Sequence, residues 1–155
     1  MKTNLAMSTG LRLRAFLPYR LSVLANRVSS LIADTYTCQF SLRTPEWRVI
    51  AVIGETPELT ATEVAERTAM DKVAVTRAVK SLVEKGKLRR KASQTDGRLT
   101  HLVLTASGRK VYQEVAPAAL QLEDAILGAL SSTERRQLDK ILVKLSARVD
   151  ALDAS

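Results

Sequence analysis

The sequence predicts a mainly helical α+β chain in which two short helices and a β-hairpin form a compact centre between long amphipathic helices. Three observations predict it. Between Thr60 and Gly86, two short stretches of helical periodicity are separated by a tight break. Directly after Gly86 the apolar spacing changes from helical to alternating, around an Asp-Gly turn at Asp96 and Gly97. On both sides of this centre, leucine, isoleucine and valine recur every three or four positions over long stretches.

Taken in order, residues 1–16 have weak caps and scattered basic side chains, and are expected to form a loosely held, flexible arm. Pro18 suits a first helical position, where its missing amide donor costs nothing. From there Leu21, Leu24, Val28, Leu31 and Ile32 mark a helix to roughly Cys38, longer than packing inside so small a domain requires. Thr44 and Pro45 supply an N-cap and first position for a helix through Trp47, Val49, Ile50 and Ile53, closed near Gly54. The segment GETPEL reads as a loop. Thr60 and Glu63 form a capping box, in which the hydroxyl accepts an amide of the first turn and the carboxylate accepts the threonine's own amide. A helix therefore starts at about Ala61 and ends near Thr68. Asp71 caps the next, whose Val75, Val79, Leu82 and Val83 share one face and turn Val73, Arg77, Lys80 and Ser81 outward, up to the terminal glycine Gly86.

Lys87–Ala92 and Leu99–Leu104 read as two strands joined by SQTDGR. Thr105 could cap the following helix, with Val111, Val115, Ala118, Leu122, Ile126 and Leu127 on its apolar face and a kink expected at Pro117. Ser131 and Glu134 form a second capping box, after which Leu138, Ile141, Leu142, Leu145 and Val149 carry a final helix. The terminal helices have more apolar surface than one small domain can cover, which implies a second copy of the chain. The expected organisation is an arm at 1–16, a helical dimerisation region at 17–43 and 106–155, and a central domain at 44–105.

Short helix, tight turn, helix and then a basic two-stranded ribbon is the order of a winged helix-turn-helix, whose second helix enters the DNA major groove. The two helices alone would be equally well an ordinary helical hairpin with a solvated face; the ribbon after them is what makes the motif specific. Charge points the same way. The chain has 24 Lys and Arg against 16 Asp and Glu, a formal +8. Residues 67–110 hold twelve bases and three acids, whereas the other 111 residues hold twelve bases and thirteen acids. All of the excess therefore lies in and just after the two short helices, as a surface that neutralises phosphates would require.

The same composition excludes other classes. With 155 residues the chain is one domain or two closely joined ones. One cysteine, Cys38, rules out an intramolecular disulfide or a thiolate metal cluster within one chain, and one histidine, His101, rules out a multi-histidine metal site. No Gly-rich phosphate loop and no paired carboxylates on one helical face mark an active site, so neither catalytic residues nor a cofactor are expected. No apolar run reaches the roughly 18 residues of a membrane span, and no signal peptide is evident, so a cytoplasmic protein is expected.

The segments LRTPEWRVIAVI (42–53), LVEKGKLRR (82–90) and TDGRLTHLVLTASGR (95–109), with the helices on both sides, resemble the multiple antibiotic resistance regulator (MarR) family of transcription factors over about residues 17–150. The resemblance implies a homodimer with interleaved terminal helices and two winged lobes facing a pseudo-palindromic operator, most often as a repressor. It implies a recognition helix from Lys72 to Lys85, with Ala74, Thr76, Arg77 and Lys80 near bases or phosphates. Arg98 would enter the minor groove, held by Asp96; the residues themselves leave open whether Asp96 orients Arg98 or simply forms the turn. Lys72, Arg90 and Lys91 complete the expected DNA-binding set. Such regulators usually respond to small phenolic or anionic aromatic compounds, which here would lie near Tyr19, Arg20, Trp47 and Arg48. Trp47 reads more readily as a core aromatic, and Arg20 and Arg48 could instead pair with Glu46 or Glu66. One branch of the family senses peroxides through a cysteine near the start of its first long helix. Cys38 lies near the end, so a buried, inert thiol is expected. His101 is expected to be a half-buried structural residue or an exposed neighbour of a phosphate. From another functional class, the centre could be a protein-interaction module whose basic patch meets an acidic partner.

Overall fold

The computed structural model describes residues 10–93 and 96–154. The expected arm falls largely on residues 1–9, and part of the expected SQTDGR turn on residues 94 and 95; both lie outside the described residues. The elements run α1 (Leu17–Phe40), α2 (Thr44–Glu55), β1 (Leu59–Thr60), α3 (Ala61–Thr68), α4 (Lys72–Glu84), β2 (Leu88–Ala92), β3 (Thr100–Leu104), α5 (Ala106–Leu127) and α6 (Ser132–Asp153). The chain divides into two compact units, one reaching to Tyr112 and the other starting at Gln113.

In the first unit, α2, α3 and α4 enclose a core of Val49, Ile50, Ile53, Val64, Val75, Ala78, Val79 and Leu82, all buried. The helix starts follow the expected chemistry. The Thr60 hydroxyl accepts the Glu63 amide at 3.3 Å while the Glu63 carboxylate accepts the Thr60 amide at 2.7 Å, and Asp71 Oδ1 accepts the Ala74 amide at 2.8 Å. Helix α2 begins one residue earlier than expected, with Arg43 as its N-cap and Thr44 already helical, because Glu46 reaches back to the Arg43 amide at 2.7 Å.

The sheet has three antiparallel strands in the order β1-β3-β2. Leu59 faces Leu102 across the first pairing, Leu88 faces Leu104 and Arg90 faces Leu102 across the second. Strand β1 falls in and just after the segment read as a loop; two residues are too short to show a period. Leu59, Leu88, Leu102 and Leu104 are buried, and this roots the hairpin in the helical core while its far end projects.

Helix α4 differs from expectation on one face. Ala78, not Val83, completes the buried stripe with Val75, Val79 and Leu82, and Val83 is 38% exposed. Ser81 is half-buried instead of facing outward. Cys38, expected to be buried, is exposed on α1 in the single chain.

A clasp joins the end of α4 to the start of α5. Gly86, with φ +65°, ends the helix in the left-handed region that glycine tolerates best. The Thr105 hydroxyl donates to the Gly86 carbonyl at 2.6 Å and accepts the Gly108 amide at 3.1 Å, while the Thr105 amide donates to the Lys87 carbonyl at 3.1 Å. Gly108 makes this approach possible, since a Cβ there would stand 2.0 Å from the Lys87 carbonyl oxygen. Because the opposing atom is backbone, Gly108→Ala is expected to lose about 1–3 kcal/mol, read as a lower urea midpoint at unchanged m-value. A midpoint equal to the parent's would show that the backbone yields there without strain.

In the second unit the Ser131–Glu134 capping box forms as expected, with the Glu134 carboxylate accepting the Ser131 amide at 2.8 Å. Pro117 lies inside α5, which continues to Leu127. Along α6, Leu138, Ile141, Leu142, Leu145 and Val149 are all exposed in the single chain.

Candidate nucleic-acid interface

The exposed face of α4 follows from its buried one. With Val75, Ala78, Val79 and Leu82 turned to the core, the helical period places Val73, Thr76, Arg77 and Lys80 together on the opposite side, with Lys72 beside them. All five are exposed. Ala74 sits at the edge of this face and is half-buried. The Thr76 hydroxyl donates to the Lys72 carbonyl at 2.7 Å. Lys80 stands 4.0 Å from Glu84, both well exposed, a surface pair too weak to withhold the lysine from a phosphate.

On the wing, Arg89 and Arg90 are exposed on β2. Lys91 is different. It is half-buried and its ammonium donates to Glu58, a residue held in the left-handed region at φ +64° just before β1. The hydrogen bond from Lys91, then its charge, hold the Glu58 carboxyl below the ordinary value. Lys91, expected as a DNA contact, is thus already paired and ties the segment ahead of β1 to the wing.

At the tip, Asp96 Oδ1 accepts the Arg98 amide at 3.0 Å, the Asp96 carbonyl accepts the Leu99 amide at 2.9 Å, and the Ser93 hydroxyl accepts the Asp96 amide at 3.2 Å. Asp96 thus builds the turn through the backbone of Arg98, and it has no bond to the guanidinium among the described residues. The Arg98 side chain is exposed and has no hydrogen-bond or ion-pair partner among the described residues. His101, half-buried on β3, lies opposite Thr60 and Lys91.

Glu46 was missed as a site residue. Its side chain is fully buried, and it accepts hydrogen bonds from the Ser81 hydroxyl, from Lys85 Nζ at 2.9 and 3.0 Å, and from the Arg43 amide at 2.7 Å. It pairs with neither Arg20 nor Arg48; Arg48 instead reaches Ser29 Oγ at 3.5 Å. A charged residue three positions inside a helix start was the available signal, but its partners on α4 lie 35 and 39 positions away.

The four expected ligand contacts separate into two places. Trp47 and Arg48 line a crevice of about 140 Å³ with Ser29, Ile32, Tyr36 and Thr44. Tyr19 and Arg20 lie farther up α1, on an open depression of about 400 Å³ with Leu17, Leu21, Val23, Leu24 and Arg27. Trp47, half-buried, stacks between Tyr36, with ring centroids 5.6 Å apart, and Tyr112, at 6.5 Å, so aromatic packing and a place on the crevice coexist. Among the described residues, no helix is long and apolar enough to cross a membrane.

Comparison with known proteins agrees with this geometry. A family model described as "MarR family" matches residues 40–99. The transcriptional repressor MprA of Escherichia coli K12 is 36% identical over 78 residues, which are 50% of this chain and 44% of MprA, so the match spans under half of that relative. A MarR/EmrR family transcriptional regulator from Acinetobacter sp. ADP1 superposes with a TM-score of 0.83 at 27% identity, covering 91% of this chain and 99% of the other. FabT of Streptococcus pneumoniae, solved in complex with DNA, superposes with a TM-score of 0.70 at 25% identity over 87% of this chain and 95% of FabT. The first two are named as a transcriptional repressor and a transcriptional regulator, and the third was solved with DNA bound.

Proposed function

We propose, from the premise that this chain belongs to the MarR family of winged-helix transcription regulators, that it is a repressor binding a pseudo-palindromic DNA operator as a homodimer and released by a small aromatic or anionic effector. The observation that carries the DNA reading is the concentration of exposed basic side chains on one helix face and its wing: Lys72, Arg77 and Lys80 on α4, Arg89 and Arg90 on β2, Arg98 at the tip. Helix α4 reads the major groove and Arg98 the minor groove, where an always-charged guanidinium meets the strongest negative potential. FabT, of the same fold, was captured on DNA.

The dimer rests on apolar residues that the single chain leaves in water. Leu17, Leu21, Leu24 and Leu31 on α1 and Leu138, Leu142, Leu145 and Val149 on α6 are exposed in the single chain, and a second copy would cover them. Residues 17–43 and 106–155 then serve as the dimerisation region and 44–105 as the DNA-binding domain. Two α4 helices related by a two-fold axis read half-sites about one helical turn, roughly 34 Å, apart. The effector reading rests on the crevice at Trp47 and Arg48, where an aromatic face and a guanidinium converge in a space suited to a single-ring anion. As a DNA-bound regulator the protein would work in the cytoplasm.

The test is to incubate the purified protein with fragments of its own genome, sequence what it retains, and compare the affinity of that DNA with random duplex across salt. A regulator should prefer its operator by at least about a thousandfold. With roughly eight phosphates neutralised per dimer, affinity should fall about ten-thousandfold between about 50 and 200 mM salt. No preference and a flat salt response would instead favour a protein-interaction module with an acidic partner.

A further inference from the structure

Val73 is 59% exposed, the highest value for a large apolar side chain between residues 44 and 105; Leu99 at the wing tip and Val83 follow at 45% and 38%. Nothing in the packing of α4 asks for it. The core stripe is complete without it, and valine is a poorer helix former than alanine at a solvated position. Its place is central: it lies one turn ahead of Arg77 and two turns ahead of Lys80 on the same ridge, in the first turn of the helix, the part that comes nearest base edges in such folds. Beside it, Thr76 has its hydroxyl proton committed to the Lys72 carbonyl at 2.7 Å, so it offers a groove a methyl and a weak acceptor but no donor. Between Lys72, at the very start of the helix, and Arg77, the exposed face is therefore apolar.

We infer that Val73, supported by the Thr76 methyl, is a specificity-determining residue that recognises the C5-methyl group of thymine in the major groove. That methyl is the one apolar feature a base pair presents there, and it distinguishes both which pair is present and which strand holds the thymine. Val73 and Arg77 together then read a thymine adjoining a guanine in each half-site, the valine by excluding water from the methyl and the arginine by a bidentate bond to the guanine O6 and N7. The inference rests on the DNA-binding reading above, and its test separates the two.

Two random-sequence duplex libraries of one design, copied with either dTTP or dUTP, are offered to the purified full chain. The winner of the thymine library is then synthesised with thymine or uracil in the half-sites. Uracil keeps every hydrogen-bonding edge and removes only the methyl. Each buried methyl is worth about fourfold, so a two-half-site duplex should bind roughly fifteenfold more tightly with thymine. In Val73→Ala, which removes apolar reach but improves helix propensity, that ratio should fall to about three or less. If no sequence emerges from the thymine library, the DNA-binding reading fails and takes this inference with it. If a sequence emerges but thymine and uracil duplexes bind equally, or the full ratio survives in Val73→Ala, the DNA-binding reading stands and the assignment to Val73 is overturned.

Discussion

Arg77→Ala combined with Arg98→Ala is expected to reduce operator binding to the level of random DNA while leaving the oligomeric state and the melting temperature unchanged. Both side chains are exposed, and neither guanidinium contributes a hydrogen bond or ion pair among the described residues, so their removal leaves nothing buried unsatisfied. The two single variants should fail differently. Arg77 projects from the centre of the exposed α4 face, and losing one bidentate base contact costs about 1–3 kcal/mol per half-site, with relaxed preference at that base. Two half-sites bring this to roughly 2–6 kcal/mol, or thirtyfold and upward. Arg98 projects from a turn in which Asp96 accepts its backbone amide, and its loss should weaken all sequences more evenly and make the salt slope shallower by about two per dimer. Fluorescence anisotropy on a labelled operator, with sedimentation to follow the dimer, separates the cases. A double variant that still binds within about threefold of the parent would remove α4 and the wing from the interface.

What could be read in the sequence was what is local. The capping residues Thr60, Asp71 and Ser131 mark their helices correctly, because a cap and its amide are three positions apart and the chemistry is self-contained. The Asp-Gly turn and the change of period locate the wing for the same reason. The basic excess needs only counting, and the exposed positions of Lys72, Arg77, Lys80, Arg90 and Arg98 agree with it.

What could not be read is what depends on tertiary contact. Lys91 looks like any other cation of the patch until Glu58, 33 positions earlier, is seen to hold it. Strand β1 exists because β3 has an edge to pair with, not because Leu59–Thr60 has a pattern. Val83 and Ala78 exchange places because the α4 stripe follows the partners it packs on: a small alanine allows a closer approach than the larger valine one and a half turns on. The exposure of Cys38 in the single chain likewise depends on neighbours the sequence does not identify.

Glu46 has the largest expected effect on stability. Its carboxylate joins the first turn of α2 to the end of α4 through Ser81 and Lys85, and thereby fixes the helix that presents Arg77. Burial by itself would raise its pKa, but the Ser81 hydroxyl, the Arg43 amide and the Lys85 ammonium outweigh it and hold the pKa below the ordinary 4.5. A folded-state pKa below the unfolded one means that the unfolded chain binds the proton more readily. The stabilisation is therefore fully present above pH 4.5 and is lost as the pH falls through the depressed folded value. Glu46→Ala removes the charged acceptor of three donor groups and leaves the Ser81 hydroxyl and Arg43 amide without a partner, at a cost of about 3 kcal/mol near neutral pH. The Lys85 side chain is 33% exposed and can turn to water, which keeps the cost from rising further. Glu46→Gln keeps the shape and one carbonyl acceptor but not the charge, and should cost about 2 kcal/mol. The gap between parent and Glu46→Gln should then narrow as the pH is lowered from about 7 to about 3, because the protonated parent loses the advantage the variant never had. Urea unfolding at a series of pH values measures it. A gap of constant size across that range would mean that Glu46 stabilises the fold by filling space and not by its charge.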